Sequence, residues 1–329
     1  MHRRVLHRHW PVPALLVAGC LAACSGGSGG GSGSSGFLSL GTAPPGGAFF
    51  VVGGALAEVL GAHSGDLGWT VTAEATKGSQ ENIRRLDKGE LDFALSNSAI
   101  TYFAVRGTEG WEKPYPVRSV MTLAPNVALF VAPKGEGITR IADLKGKRVV
   151  VGPAGAGFEY FLKPILAAHG VSFDDFTPLH NTQSAAVDML ADGAAAAAFL
   201  GGAIPTASIT QAATSQELVF VPFDEEPRKK LVDEYVFFRP ATIPAGTYRG
   251  QDADFVAMDV GSMHLIASEN EDPERVYRVA KILYEHRDEV TSKHAAGRSI
   301  QPSNVVRDTG TEFHPGAVRL YRELGIWRE

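Results

Sequence analysis

Cysteine is nearly absent from this chain: two in 329 residues, Cys20 and Cys24, both close to the start. No disulfide framework can therefore staple the fold that follows, and beyond Cys24 there is no cysteine nucleophile or cysteine-based zinc spacing. Positive charge is not in excess either. Thirty-one Lys and Arg face 36 Asp and Glu, for a net charge of -5, with no basic patch or aromatic RNA signature. That balance argues against a nucleic-acid partner. After the first two dozen residues no apolar run is long enough to cross a bilayer as a helix.

Phosphate-gripping and catalytic patterns are missing as well. The stretch "LGTAPPGGAFFVVGGALAEVL" (40–60) spaces Gly41 and Gly46 as a P-loop would, but it lacks the lysine and the hydroxyl that follow the second glycine. It is not G-x-G-x-x-G, and "GPAGAG" (152–157) fails both patterns. "GGSGG" matches a nucleophile elbow, yet no strand precedes it. His63, His169, His180, His264, His286, His294 and His314 show no metal-ligand spacing, and the carboxylates are scattered over helix surfaces. No enzyme, cofactor or metal is expected.

What is present begins with a leader. "MHRRVLHRHW" is basic, "PVPALLVAGCLAA" is a short apolar core, and "LAAC" ends it at Cys24. This predicts an export signal over 1–24 with a lipobox, cleavage before Cys24 and lipidation of that cysteine. Arg3 and Arg4 hint at folded export. "SGGSGGGSGSSG" (25–36) is a flexible tether that spans about 20 Å as a coil. Without the leader's three arginines, 28 basic residues remain against 36 acidic.

From Phe37 one pattern is used twice. "FLSLG" (37–41) reads as a strand, followed by a glycine-rich loop and a helix from Ala48 to Leu60. "TVTAEATKG" (70–78) reads as a strand, "SQENIRRLDKG" as a helix capped by Ser79, and "LDFALSNS" (91–98) as strand and polar loop. Downstream, "KRVVVGPAGAGFEYFLKPILAAHG" (147–170), "FTPLHNTQ" (176–183), "SAAVDMLADG" (184–193) and "AAAAAFLGG" (194–202) repeat the order, with a helix from about Pro205. The reading is α/β: two domains, each a mainly parallel sheet flanked by helices. Domain 1 takes 37–123 and 242–329, and domain 2 takes 124–241. The extended stretches 121–133 and 235–248 would carry the crossings, 255–268 is one strand, and 272–293 and 315–324 are helices.

Ligands of such sheets bind beyond the carboxyl ends of the strands. Four loops occupy that position: Gly41–Gly47, Ser96–Ser98, Gly152–Gly157 and Gly201–Pro205. Two come from each domain, so they should face one another across a cleft and offer helix N-termini to an anion.

The stretches "GTAPPGGAFFVVGGALAEVL", "TKGSQENIRRLDKGELDFALSNSAITYFA", "LKGKRVVVGPAGAGFEY", "FLGGAIPTASI", "IPAGTYRGQDADF" and "FHPGAVRLYRELGIW" sample nearly the whole chain from Phe37. They resemble the TAXI-type solute-binding proteins of tripartite ATP-independent periplasmic (TRAP) transporters. That resemblance implies a type II periplasmic-binding clamshell, probing the outside of the membrane for a small carboxylate such as glutamate, glutamine or 2-oxoglutarate. It also implies delivery to a TRAP integral membrane subunit, with the chain a monomer. Its ligand loops correspond to Gly41, Thr42, Gly46 and Phe49, to Ser79 and Asn82, and to Ser96, Asn97 and Ser98. In the second domain they correspond to Pro153, Ala154, Gly155, Ala156, Gly157 and Phe158, and to Phe199, Gly201, Gly202 and Ala203. Ala43, Pro44, Pro45, Phe49, Phe50 and Lys77 depart from the family's usual residues. Lys77, the one cation in the set, would favour a second carboxylate on the ligand. A sensor presenting the same ligand to a membrane kinase is the other reading.

Overall fold

The computed structural model describes residues 36–45 and 47–327. The leader, Cys24, most of the 25–36 tether and Gly46 lie outside the described residues.

The chain opens with β1 (Phe37–Gly41), α1 (Ala48–Ala62), β2 (Thr70–Glu74), α2 (Ser79–Asp87), β3 (Phe93–Asn97), α3 (Ser98–Arg106) and β4 (Val117–Thr122). It continues with β5 (Val127–Pro133), β6 (Arg148–Val150), α4 (Glu159–Ala168), β7 (Thr177–Leu179), α5 (Gln183–Ala191), β8 (Ala197–Gly202), α6 (Ala207–Ser215), β9 (Leu218–Val221), α7 (Glu225–Glu234), β10 (Phe238–Ile243) and β11 (Phe255–Val260). Then come β12 (Met263–Ser268), α8 (Pro273–Glu285), α9 (Arg287–Lys293), α10 (Pro302–Val305) and α11 (Pro315–Glu323).

Two sheets result. The first runs β2-β1-β3-β12-β4 and the second β10-β11-β5-β8-β6-β7, with β9 also paired to β5. Each is built on three parallel strands in one order: β2-β1-β3 in the first and β7-β6-β8 in the second. An antiparallel strand flanks each trio, β12 beside β3 and β5 beside β8. The duplicated pattern read in the sequence is thus a duplicated topology, with helices covering the sheets as the α/β reading expects. Leu38, Leu40, Phe93 and Leu95 on the first sheet pack with Leu56, Val59 and Leu60 of α1. Val149, Val150, Ala198 and Leu200 of the second pack with Phe161 and Ile165 of α4.

The crossings differ from the expectation in one place. The chain leaves the first sheet after β4 and enters the second at Val127. It does not return near residue 242: β10 and β11 form an antiparallel pair inside the second sheet. The return is at Gly261–Ser262, where the apolar run 255–268 splits into β11 of one sheet and β12 of the other. Both halves of that run are core strands, so hydrophobicity alone could not show the break. Similarly, the expected helix over 272–293 is two, α8 and α9, divided at His286.

Candidate functional site

The carboxyl ends of β1 and β3 face those of β6 and β8, and a cavity of about 90 Å³ lies between them. One ordered water takes roughly 10–15 Å³ on this measure, so the space suits a small solute. One side of the cleft is shut by contacts between the lobes. Gln80 Nε2 donates to the Tyr160 hydroxyl at 3.1 Å, Trp111 stacks on Tyr160 at 5.3 Å, and burial pushes the Tyr160 phenol up to about 12.

Five helices begin at this cavity. Gly47, Ala48 and Phe49 at the start of α1, Gly78 and Ser79 at α2, Asn97 at α3, Phe158 at α4, and Thr182, Gln183 and Ser184 at α5 all line it. The first N–H groups of a helix lack intrahelical acceptors and carry partial positive charge. Among the described residues, Lys77 is the charged side chain that lines the cavity, and no aspartate or glutamate does. Its stem lies across the facing loop: a Cβ on Gly155 would stand 3.9 Å from Lys77 Cδ. Pro44, Pro45, Phe49, Ile100, Phe158 and Phe161 supply apolar walls.

Of the residues singled out in the sequence, Phe49, Lys77, Ser79, Asn97, Pro153, Ala156, Phe158 and Gly201 line this cavity. Others stand behind it. Thr42 is fully buried; its hydroxyl donates to the Glu74 carbonyl at 2.7 Å and its methyl packs under Gly53 of α1. Asn82 Nδ2 donates to the Thr42 and Leu95 carbonyls, both at 2.8 Å, which ties the two ligand-side loops of the first lobe together. Gly41 admits that amide, because a Cβ there would come within 2.8 Å of Asn82 Oδ1. Ser96 bonds Thr101 at 2.7 Å, and Ser98 is buried at the first position of α3. Phe199 is sealed in the core against Phe130 and Phe161. Ala154 and Gly155 are on the outer bend of their loop, Gly157 packs on Ile100, and Gly202 faces Ala48. Ala203 lines an adjoining hollow with Ile204 and Pro205.

Ser79 was expected to cap α2, but Gly78 holds that position, and the Ser79 hydroxyl instead accepts the Asn97 amide at 2.9 Å. The corresponding helix of the second lobe is capped by Thr182, not Ser184, through the Ala185 amide at 3.2 Å. Thr182, Gln183 and Ser184 were not foreseen at the site. Gln183 grips Gly201 through both its backbone groups, donating to the carbonyl at 2.9 Å and accepting the amide at 3.1 Å. The signal was available: they fill the place in the second unit that Ser79 to Asn82 fill in the first. Asn126, on the first crossing, also lines the cavity, and its backbone amide donates to the buried Asp259 carboxyl at 3.0 Å. Burial pushes the Asp259 pKa up, opposed by Ser262 and Arg307.

Two lobes joined by two crossings, with a cavity at the facing strand ends, define the two-domain fold of type II periplasmic substrate-binding proteins. The family model described as NMT1-like matches residues 40–325, and the chain belongs to that family. The periplasmic aliphatic sulphonate binding protein SsuA from Escherichia coli is similar in structure, with a TM-score of 0.51 at 13% identity. The match covers 87% of this chain and 82% of that one. The binding protein component of an ABC phosphonate transporter from Pseudomonas aeruginosa is similar with a TM-score of 0.52 at 10% identity, covering 88% of this chain and 95% of that one. At such identities the likeness is one of fold.

Proposed function

We propose that this chain is an exported receptor that captures a small dicarboxylate, such as glutamate or 2-oxoglutarate, between its lobes and hands it to a TRAP-type membrane subunit. One observation carries the ligand class: five helix N-termini and Lys77 converge on a cavity that no acidic side chain lines among the described residues. Backbone N–H groups would hold one carboxylate. Lys77 would hold the second through a charge-assisted hydrogen bond. The apolar walls would enclose the carbon chain. The TAXI-like stretches of the sequence support the TRAP partner, and the lipobox supports a lipid anchor on Cys24.

The test is a thermal-shift screen of the purified protein against mono- and dicarboxylates, amino acids and neutral sugars, followed by calorimetry. A ligand at 100 times its Kd should stabilise the fold by roughly 2.7 kcal/mol. Dicarboxylates are expected to give the largest shifts. Binding to neutral sugars alone would overturn the anion reading.

A further inference from the structure

At the far end of α1, about 22 Å along the helix from the cavity at 1.5 Å per residue, three side chains with metal-ligating atoms meet. His63 is the C-cap of α1, His286 the C-cap of α8, and Glu289 lies in the first turn of α9. Their ligand atoms all fall within 4.8 Å of one another. His63 Nε2 and Glu289 Oε2 are 2.6 Å apart, and the two imidazole rings stack at 3.5 Å with 13° between their planes.

A His63–Glu289 ion pair accounts for only part of this. The His286 ring lies face to face with His63, and among the described residues no hydrogen bond joins that ring to the protein. A neutral imidazole offers an in-plane lone pair, which is what a metal requires. The negative ends of two helices, α1 and α8, meet at the cluster and favour a cation. Against these stands Lys293, whose Nζ bonds Glu58 and lies 4.0 Å from Glu289 Oε1.

We propose that His63, His286 and Glu289 form a binding site for zinc(II), with water completing the coordination. Two imidazoles and a carboxylate suit this ion. Bonds of about 2.0–2.2 Å put tetrahedral ligand atoms roughly 3.4 Å apart, so the His63–Glu289 pair must open from 2.6 Å and the stacked imidazoles must turn until both in-plane lone pairs meet at the ion. All three are partly exposed and free to do so. The ion would fasten α1 to α8 and α9 and leave the cleft untouched.

Calorimetry with zinc chloride on the full chain tests this, comparing wild type with the double variant His63→Ala/His286→Ala. Wild type should take one more zinc per chain, and zinc should raise the Tm of wild type alone. The leader's histidines are common to both proteins and cancel. Lys293→Ala should bind at least as tightly as wild type, because it removes a competing cation. Equal stoichiometry in wild type and double variant would overturn the site, as would a tenfold weakening in Lys293→Ala. Should the double variant fail to fold, Glu289→Gln carries the test: a tenfold loss is expected, and unchanged affinity would overturn the proposal.

Discussion

The side-chain amide of Asn97 donates to the Gly261 carbonyl at 2.7 Å, while its Oδ1 receives the Ala99 amide at 2.9 Å. One residue therefore lines the cavity, caps α3 and holds the return crossing between the lobes. A β-carbon on Gly261 would stand 2.3 Å from that Oδ1, so the crossing can approach the cap only without a side chain.

Asn97→Ala should cost stability and binding together. Loss of an N-cap costs about 0.5–2 kcal/mol, and a buried carbonyl left unpaired costs about 1–3 kcal/mol. Urea unfolding should show a loss of roughly 2–4 kcal/mol. Asn97→Asp keeps the cap's acceptor but not the donor to Gly261, so it should fall between the two. Equal stability of Asn97→Ala and wild type would rule out the triple role.

Lys77→Gln should separate binding from folding. Lys77 is exposed and its ammonium has no ion-pair partner among the described residues. Its loss should leave the urea midpoint unchanged while weakening dicarboxylate binding by roughly 10–150-fold, the equivalent of about 1.5–3 kcal/mol. Affinity for monocarboxylates of similar size should hold. Calorimetry on both ligand classes reads this; equal losses for both would remove the second-carboxylate role.

Two adjacent glycines of α1 should respond with opposite sign. A Cβ on Gly53 would meet Thr42 Cγ2 at 2.2 Å, whereas Gly54 has nothing within 4 Å. Gly54→Ala should stabilise the fold by roughly 0.5–1 kcal/mol through helix propensity. Gly53→Ala should destabilise it by roughly 1–3 kcal/mol through overpacking. Thermal unfolding of the two variants decides the matter.

His264 should make the fold acid-sensitive. It is fully buried, its Nε2 lies 2.8 Å from Thr101 Oγ1, and burial, with the Arg307 charge second, drives its pKa from 6.5 to about 3. The folded state keeps it neutral, and the unfolded chain takes up a proton below 6.5. Stability from this group is therefore present above pH 6.5 and lost as pH falls towards 3. Between pH 7 and pH 5 wild type should lose about 2 kcal/mol more than His264→Gln. Parallel pH profiles for the two would refute the assignment.

The repeated strand–loop–helix unit was legible because glycine marks several of its turns, as at 41–47 and 152–157, and the helices carry apolar residues at helical spacing. Thr42 and Asn82 were legible as important but not in their role. They look like ligand groups in sequence because polar residues in glycine-rich loops usually face outward. Here they are turned inward to satisfy carbonyls of neighbouring loops, a choice fixed by packing. Asn126 and Gly261 belong to the two crossings between the sheets, where no periodic pattern operates. His63 and Glu289 are 226 positions apart, so only the folded chain brings them together.

The place of β12 has a consequence for how the molecule comes into being. β12 is inserted between β3 and β4, yet it is made only after every strand of the second sheet. The second sheet is drawn from one unbroken stretch, 127–260, and can be completed from its own residues. The first sheet must wait with the edges of β3 and β4 unpaired until residue 263 has emerged, and must then close a loop as long as the second lobe. Loop closure slows such pairing, and open strand edges invite aggregation in the interval. The lobe that begins the chain is therefore the one that finishes last.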